Sequence, residues 1–256
     1  MKDEKQQWYF NEYYETYRSA RLGYADDVYR IISSICGFDS NSKILEIGAG
    51  SGIATNEIYK KWHPDLTVVE PGDHFVSLLK QTFATKNIKI VGCNFESFYS
   101  SDKYDGIISA TAFHWIDKSI KYKKASDLLN EKGYLILYWN NYSVFDSKIN
   151  NEITNIYKHY NEQFECNYQK QLMKIEKRRK DIEESAEFTL VEHKEIENII
   201  TVSSKDFLAL LETFIGHCYL DKQINTEIYN FLESYGGVID LRILVNLEIA
   251  QKKEYV

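Results

Sequence analysis

The chain has 256 residues, enough to bury the core of one α/β domain, and its formal net charge of −7 leaves no general basic surface, so affinity driven by phosphate contacts, and with it a nucleic-acid partner, is not expected. Cys36, Cys93, Cys166 and Cys218 lie far apart, with no C-x-x-C pair and no histidine cluster at ligand spacing, which argues against a structural metal. The first ten residues lack an apolar leader and no run reaches the length of a membrane span, so a cytoplasmic protein with reduced thiols and no membrane partner is expected.

Residues 8–24, WYFNEYYETYRSARLGY, are rich in aromatics and arginine and read as partly helical. A helix is predicted over residues 26–36, capped by Asp26, with Val28, Ile31, Ile32 and Ile35 on one face and Gly37 as its stop. Residues 43–55, KILEIGAGSGIAT, organise the rest of the chain. Ile44, Leu45 and Ile47 form the compact apolar run of a buried parallel strand, which passes at once into Gly48, Gly50 and Gly52. Glycine lets the backbone turn sharply and lets a ligand approach the main chain, and the next helix, to about residue 62, points its first N–H groups at the loop. A dinucleotide fingerprint wants glycine or alanine where Ile53 stands; here the third glycine comes one residue early, at Gly52. Glu46 precedes the first glycine by two positions. Glu70 ends the next apolar strand, residues 66–70, at the distance expected of an acid that holds ribose hydroxyls.

A helix over residues 73–84, a strand over 88–91 and a strand over 106–110 come next, and strand, helix, strand in this order implies a right-handed parallel sheet. The loop after the fourth strand carries Thr111, Phe113, His114 and Trp115, at the sheet rim where ligands of open α/β sheets bind. A helix over 119–129 precedes a strand over 134–139, which ends in Trp139. Residues 147–185 read as an inserted helical segment, with Ile149, Ile153, Ile156, Tyr157, Tyr160 and Phe164 at helical spacing. Its basic run at 177–180 reads as a solvated face, because Asp181, Glu183 and Glu184 cancel the local field. A weak strand over 188–200 precedes a helix that opens on a capping box of Ser203 and Asp206, and a short helix covers 225–234. Residues 238–250 alternate like an edge strand whose solvated face carries Asp240, Arg242, Asn246 and Glu248.

With LEIGAGSG at 45–52, VVEPG around Glu70 and YDGIISATAFHWID at 104–117, residues 14–139 resemble class I S-adenosylmethionine-dependent methyltransferases, and among them the small-molecule branch of trans-aconitate methyltransferase-like enzymes (methyltransferase type 11). The resemblance implies an α/β fold: a Rossmann-like, doubly wound, mostly parallel seven-stranded sheet with an antiparallel last strand inserted beside the fifth, plus a helical lid insertion. It implies one domain over residues 1–256, with an N-terminal lid at about 1–24 and a helical insertion at about 146–186 capping the active site. S-adenosyl-L-methionine would be held by Tyr17, Arg21, Glu46, Gly48, Ala49, Gly50, Gly52, Glu70, Pro71, Asn94, Phe95, Glu96, Ala110 and Thr111. The acceptor would meet Tyr14, Phe113, His114, Trp115 and Trp139, without a metal. Residues 21–24 lack both prolines of the corresponding lid segment. Asn94 or Cys93 stands where relatives place an aspartate for the adenine amino group, and the Asn94 amide oxygen can accept that bond.

The activity implied is methyl transfer to a small-molecule acceptor, an in-line displacement that needs alignment and exclusion of water. A carboxylate acceptor needs no base; a phenol, amine or enol is helped by one, and His114 is the candidate because imidazole titrates near neutrality. Two other readings stand beside this one: an NAD-dependent oxidoreductase, with Glu70 on the adenosine ribose, and a non-catalytic S-adenosylmethionine-binding protein.

Overall fold

The computed structural model describes residues 14–163, 167–214 and 216–254. Phe164 and Cys166, the aromatic positions before residue 14 and the side chain of Tyr14 lie outside the described residues.

Seven strands form one sheet in the order β3-β2-β1-β4-β5-β7-β6. They are β1 (Lys43–Ile47), β2 (Asp65–Glu70), β3 (Ile88–Gly92), β4 (Tyr104–Ala110), β5 (Leu129–Val144), β6 (Phe188–Ser203) and β7 (Val238–Lys252). The first five are parallel: Leu45 of β1 stands opposite Thr67 of β2 and Ile107 of β4. Such central strands are covered on both faces, which is why β1 reads as an unbroken apolar run and why Ile44, Leu45 and Ile47 are all buried. The last strands reverse: Phe145 N donates to Asp240 O at 2.9 Å while Asn141 Nδ2, four residues earlier, reaches Leu244 O at 2.9 Å. Strand order changes direction at β1, whose neighbours are β2 on one side and β4 on the other, and ligands of open α/β sheets bind at such a switch point.

The chain divides into two compact units, one from Gly23–Asn140, Lys177–Ile196 and Val245–Val256, the other from Met1–Leu22, Asn141–Glu176 and Glu197–Leu244. The expected helical insertion is therefore shared between them at residue 176. In the first unit α2 (Asp26–Cys36), α3 (Ile53–Trp62), α4 (Asp73–Thr82) and α5 (Lys121–Leu128) cross between the strands. Asp26 is not the N-cap: Ala25 takes that place without a side-chain bond, and Asp26 sits inside the first turn, where its charge favours the helix N-terminus and pairs with Lys61. Gly37 ends the helix in the left-handed region as expected. Phe95, Phe98, Phe113, Tyr122, Trp139 and Phe188 pack in one buried cluster of this unit with apolar residues of β1, β4 and β5.

The second unit holds α1 (Tyr14–Ala20), α6 (Ser147–His159), the first part of α7 (Tyr168–Glu183), α8 (Ser204–Glu212) and α9 (Lys222–Ser234). Ser203 caps α8 by accepting from Asp206 N at 3.1 Å while its hydroxyl donates to the Asp206 carboxylate at 2.6 Å. Ile149, Ile153 and Tyr157 bury one face of α6, and Tyr157 Oη meets His217 Nδ1 at 2.5 Å.

β7 lies beside the fifth strand, as the resemblance implies, but between β5 and β6 and so not at the edge. The alternation holds only at its start, where Asp240 is exposed, and from Ile243 to Ala250 every residue is buried, Asn246 and Glu248 completely. The alternation of polar side chains there marks a buried polar network and not a solvated face.

Candidate active site

The loop after β1 is held from three sides. Gly48 N donates to Val69 O at 2.8 Å, and Ser109 Oγ donates to Ile47 O at 2.9 Å, tying the carboxyl ends of β2 and β4 to that of β1. Glu70 accepts from Gly50 N with one oxygen and from Gly72 N with the other, both at 2.8 Å. Gly48 has φ +72°, and a Cβ there would come within 2.3 Å of the Ala112 methyl, so only glycine lets the loops after β1 and β4 meet. Ala49 and Ala110 are half-buried on either side of this junction, Pro71 is exposed beyond Glu70, and Gly52, buried, starts α3.

Glu46 is fully buried, and neither carboxylate oxygen has a hydrogen-bond partner among the described residues. Burial pushes its carboxyl up to about 7; the neighbouring Thr55 hydroxyl offsets this in part and the Glu70 charge adds to it. Glu70 is also raised by burial, against the two backbone N–H groups that favour its ionised form. A buried acid whose oxygens lack a hydrogen-bond partner among the described residues, two positions before a glycine turn, carries a charge that only a cationic group could offset, and a cofactor with an ammonium group has that chemistry.

The loop after β4 turns through Thr111, whose φ of +59° is unusual for a β-branched residue. Two bonds hold it there: Thr111 N donates to Tyr138 O at 2.8 Å, and Tyr24 Oη and Thr111 Oγ1 are 2.8 Å apart, with the Tyr24 ring edge-on to Tyr138 at 4.7 Å. Phe113–Trp115 then makes one 3₁₀ turn. Phe113 points into the core, whereas His114 and Trp115 are exposed, their rings 4.5 Å apart. Trp139 Nε1 donates to His114 Nδ1 at 3.1 Å. Indole nitrogen only donates, so Nδ1 accepts and the ring proton of neutral His114 sits on Nε2. Trp139 itself is 2% exposed, so it stands behind His114 instead of presenting a face to an acceptor.

The segment after β3 departs from the expectation. Both lone pairs of the Asn94 amide oxygen go to Ser97, one to its N–H at 2.9 Å and one to its hydroxyl, so that oxygen closes a turn instead of waiting for an adenine amino group. Phe95 is buried in the core, and Glu96 accepts from Asp117 N at 3.2 Å. In the second unit Arg21 lies over Tyr17 at 4.9 Å and over Phe214 at 4.8 Å, and donates to Thr213 O at 3.0 Å. Sequence reasoning does not single out Arg178, Asn246 or Glu248 for the site. The basic run at 177–180 reads from sequence as solvated, yet the Arg178 guanidinium stacks on Trp139 at 4.5 Å, and burial lowers it to about 10. Among the described residues no His, Cys, Asp and Glu cluster is arranged to hold a metal.

Residues 14–183 match the family model described as a methyltransferase domain. The chain is 28% identical over 160 residues to a Dictyostelium discoideum protein named as a methyltransferase, covering 60% of this chain and 56% of that one. It is 26% identical over 124 residues to an uncharacterized methyltransferase of Schizosaccharomyces pombe, covering 48% and 49%. The chain thus spans about half the length of the curated relatives it matches. Among solved structures it is similar in fold to one assigned as a type II methyltransferase from Anaeromyxobacter dehalogenans, with TM-score 0.60, 14% identity and 90% and 97% of the two chains covered. It is likewise similar to the MccD protein, with TM-score 0.56, 15% identity and 90% and 98% covered.

Proposed function

The chain belongs to the S-adenosylmethionine-dependent methyltransferase family, and on that premise we propose that it methylates a small molecule at an atom with no proton to remove, such as a carboxylate oxygen. Family membership sets the nicotinamide reading aside. The bound cofactor supplies an electrophilic methyl carbon on a sulfonium, displaced in line by the acceptor.

This chain's own residues do the rest. Ionised Glu46 gives the counter-charge to the cofactor's ammonium group, the main chain of residues 48–52 admits its close approach, and Glu70 offers its remaining lone pairs to the ribose hydroxyls. One observation supports the choice of acceptor: the Trp139 N–H on His114 Nδ1. A general base at Nε2 needs its proton on Nδ1, where the indole N–H opposes it. Nε2–H is instead a donor, suited to orienting an anionic oxygen.

Calorimetry against S-adenosylmethionine and NAD, then methyl release with carboxylate, amine and phenol acceptors, tests the reading. His114→Gln keeps an N–H near the Nε2 position, so a moderate rise in KM with kcat near wild type is expected. A fall in kcat of about 10² to 10⁴, with loss of pH dependence near neutrality, identifies a base and refutes the proposal. Binding without transfer to any acceptor favours the non-catalytic reading.

A further inference from the structure

Behind His114 lies a chain of polar contacts, buried at Asn246 and Glu248 and half-buried at Arg178 and His193, that the transfer reaction does not itself use. The Arg178 guanidinium stacks on Trp139 at 4.5 Å, and its Nη1 donates to Asn246 Oδ1 at 3.3 Å. Asn246 Nδ2 donates to Glu248 Oε1 at 2.7 Å, and the same oxygen lies 2.9 Å from His193 Nδ1, whose Nε2 is 3.4 Å from Glu195. Asn246 and Glu248 are fully buried in β7, and the second Glu248 oxygen has no partner among the described residues. Burying this acid and the guanidinium is costly unless they compensate each other, and the Glu248 charge supports the ionised Arg178. Packing alone would not require a cation on the indole.

We propose that Arg178 is a positioning residue for the methyl-transfer site: its charge over the Trp139 ring strengthens the indole N–H as a donor and so locks His114 in the Nε2–H tautomer. A cation on the face of an aromatic ring draws electron density from it, and for indole this makes the ring N–H a better donor. Asn246 and Glu248 orient the guanidinium. The inference rests on reading His114 as a donor, but its test needs no acceptor and no cofactor.

The test is long-range proton–nitrogen NMR of the full chain with ¹⁵N-labelled imidazoles, at about pH 8.5, above the ordinary histidine range. In wild type His114 is expected almost wholly as Nε2–H, and the Trp139 N–H protected from solvent exchange. Arg178→Met keeps an apolar stem on the indole; it should move the tautomer ratio toward that of free histidine in the same buffer and speed indole N–H exchange by about tenfold or more. Arg178→Lys, which retains a charge, should recover most of both. Because Arg178→Met leaves Glu248 uncompensated and so threatens folding, the double variant Arg178→Met with Glu248→Gln is measured as well, with Glu248→Gln alone as the control that keeps the cation and should keep the tautomer. A wild-type ratio no different from free histidine, or one that neither Met variant moves, overturns the proposal. If NMR bears it out while His114→Gln loses kcat, the positioning role stands and the donor reading of the reaction fails.

Discussion

Glu70 accepts the Gly50 amide at 2.8 Å, so the acid expected to face the cofactor's ribose also sets the shape of the glycine loop. One carboxylate thus ties the loop after β1 to the one after β2, because its other oxygen holds Gly72 at the start of α4. Glu70→Ala removes both bonds and the ribose contacts together. Affinity for S-adenosylmethionine should fall by about 2 to 3 kcal/mol, the scale of bonds to a charged acceptor, and S-adenosylhomocysteine should weaken equally because the ribose is common to both. Calorimetry with the two ligands checks this, and unequal losses would show that Glu70 does not serve the ribose.

Glu46 predicts a pH dependence with a definite sign. Its folded carboxyl is raised from 4.5 to about 7, chiefly by burial, so the protonated form contributes stability that is complete below about pH 4.5 and lost as pH rises through about 7. The loss amounts to about 3 kcal/mol. Glu46→Gln should flatten the dependence of Tm on pH between about 5 and 8 and make the ligand-free protein more stable than wild type at the upper end. A cationic ligand needs the ionised acid, so binding near pH 6.5 should release a proton in wild type and none in the variant. Calorimetry in two buffers of different ionisation enthalpy reads that proton directly. Its absence in wild type would remove Glu46 from the ligand's charge.

At Gly50 the backbone has φ +54°, which a β-branched side chain adopts only with strain. Gly50→Val should therefore weaken S-adenosylmethionine by about 2 kcal/mol or more, roughly 30-fold, by distorting the turn and filling the approach to the main chain. A correctly folded variant that binds within about threefold of wild type would refute the assignment of the loop.

Sequence signals at this site divide along local and long-range lines. The strand, the glycine turn and the positions of the two acids in residues 43–70 are legible because each placement depends on neighbours within one βαβ unit. Asn94 misleads for a local reason: Asn closes turns with its own backbone region, and Ser97 takes the oxygen that the family resemblance assigns to a ligand. Asn246 and Glu248 mislead for the opposite reason. Polar residues alternating in a strand are the pattern of a solvated face, and only their partners Arg178 and His193, 68 and 55 positions away in the chain, make them a buried network. Trp139 has the same history: an aromatic residue late in a strand near a rim suggests a substrate contact, but burial and its N–H bond to His114 place it one layer back.

Thr111 offers a test of whether strain is held at the site. Its φ of +59° puts a β-branched side chain in the left-handed region, at a cost of order 1 to 2 kcal/mol, and the bonds to Tyr138 O and Tyr24 Oη offset that cost. Thr111→Val is nearly isosteric, keeps the strain and deletes the hydroxyl, so it should lose about 1 kcal/mol or more. Thr111→Gly also deletes the hydroxyl and gains freedom in the unfolded chain, but it relieves the strain, and its stability should stay within about 1 kcal/mol of wild type. The expected order, glycine more stable than valine, is the reverse of what an extended strand position gives, where glycine is the weakening residue. Tyr24→Phe, which removes the same bond from the other side, should match Thr111→Val in the hydrogen-bond part and leave the backbone strain in place. Chemical unfolding of the three variants decides it: if valine proves at least as stable as glycine at position 111, the turn that carries His114 is not strained.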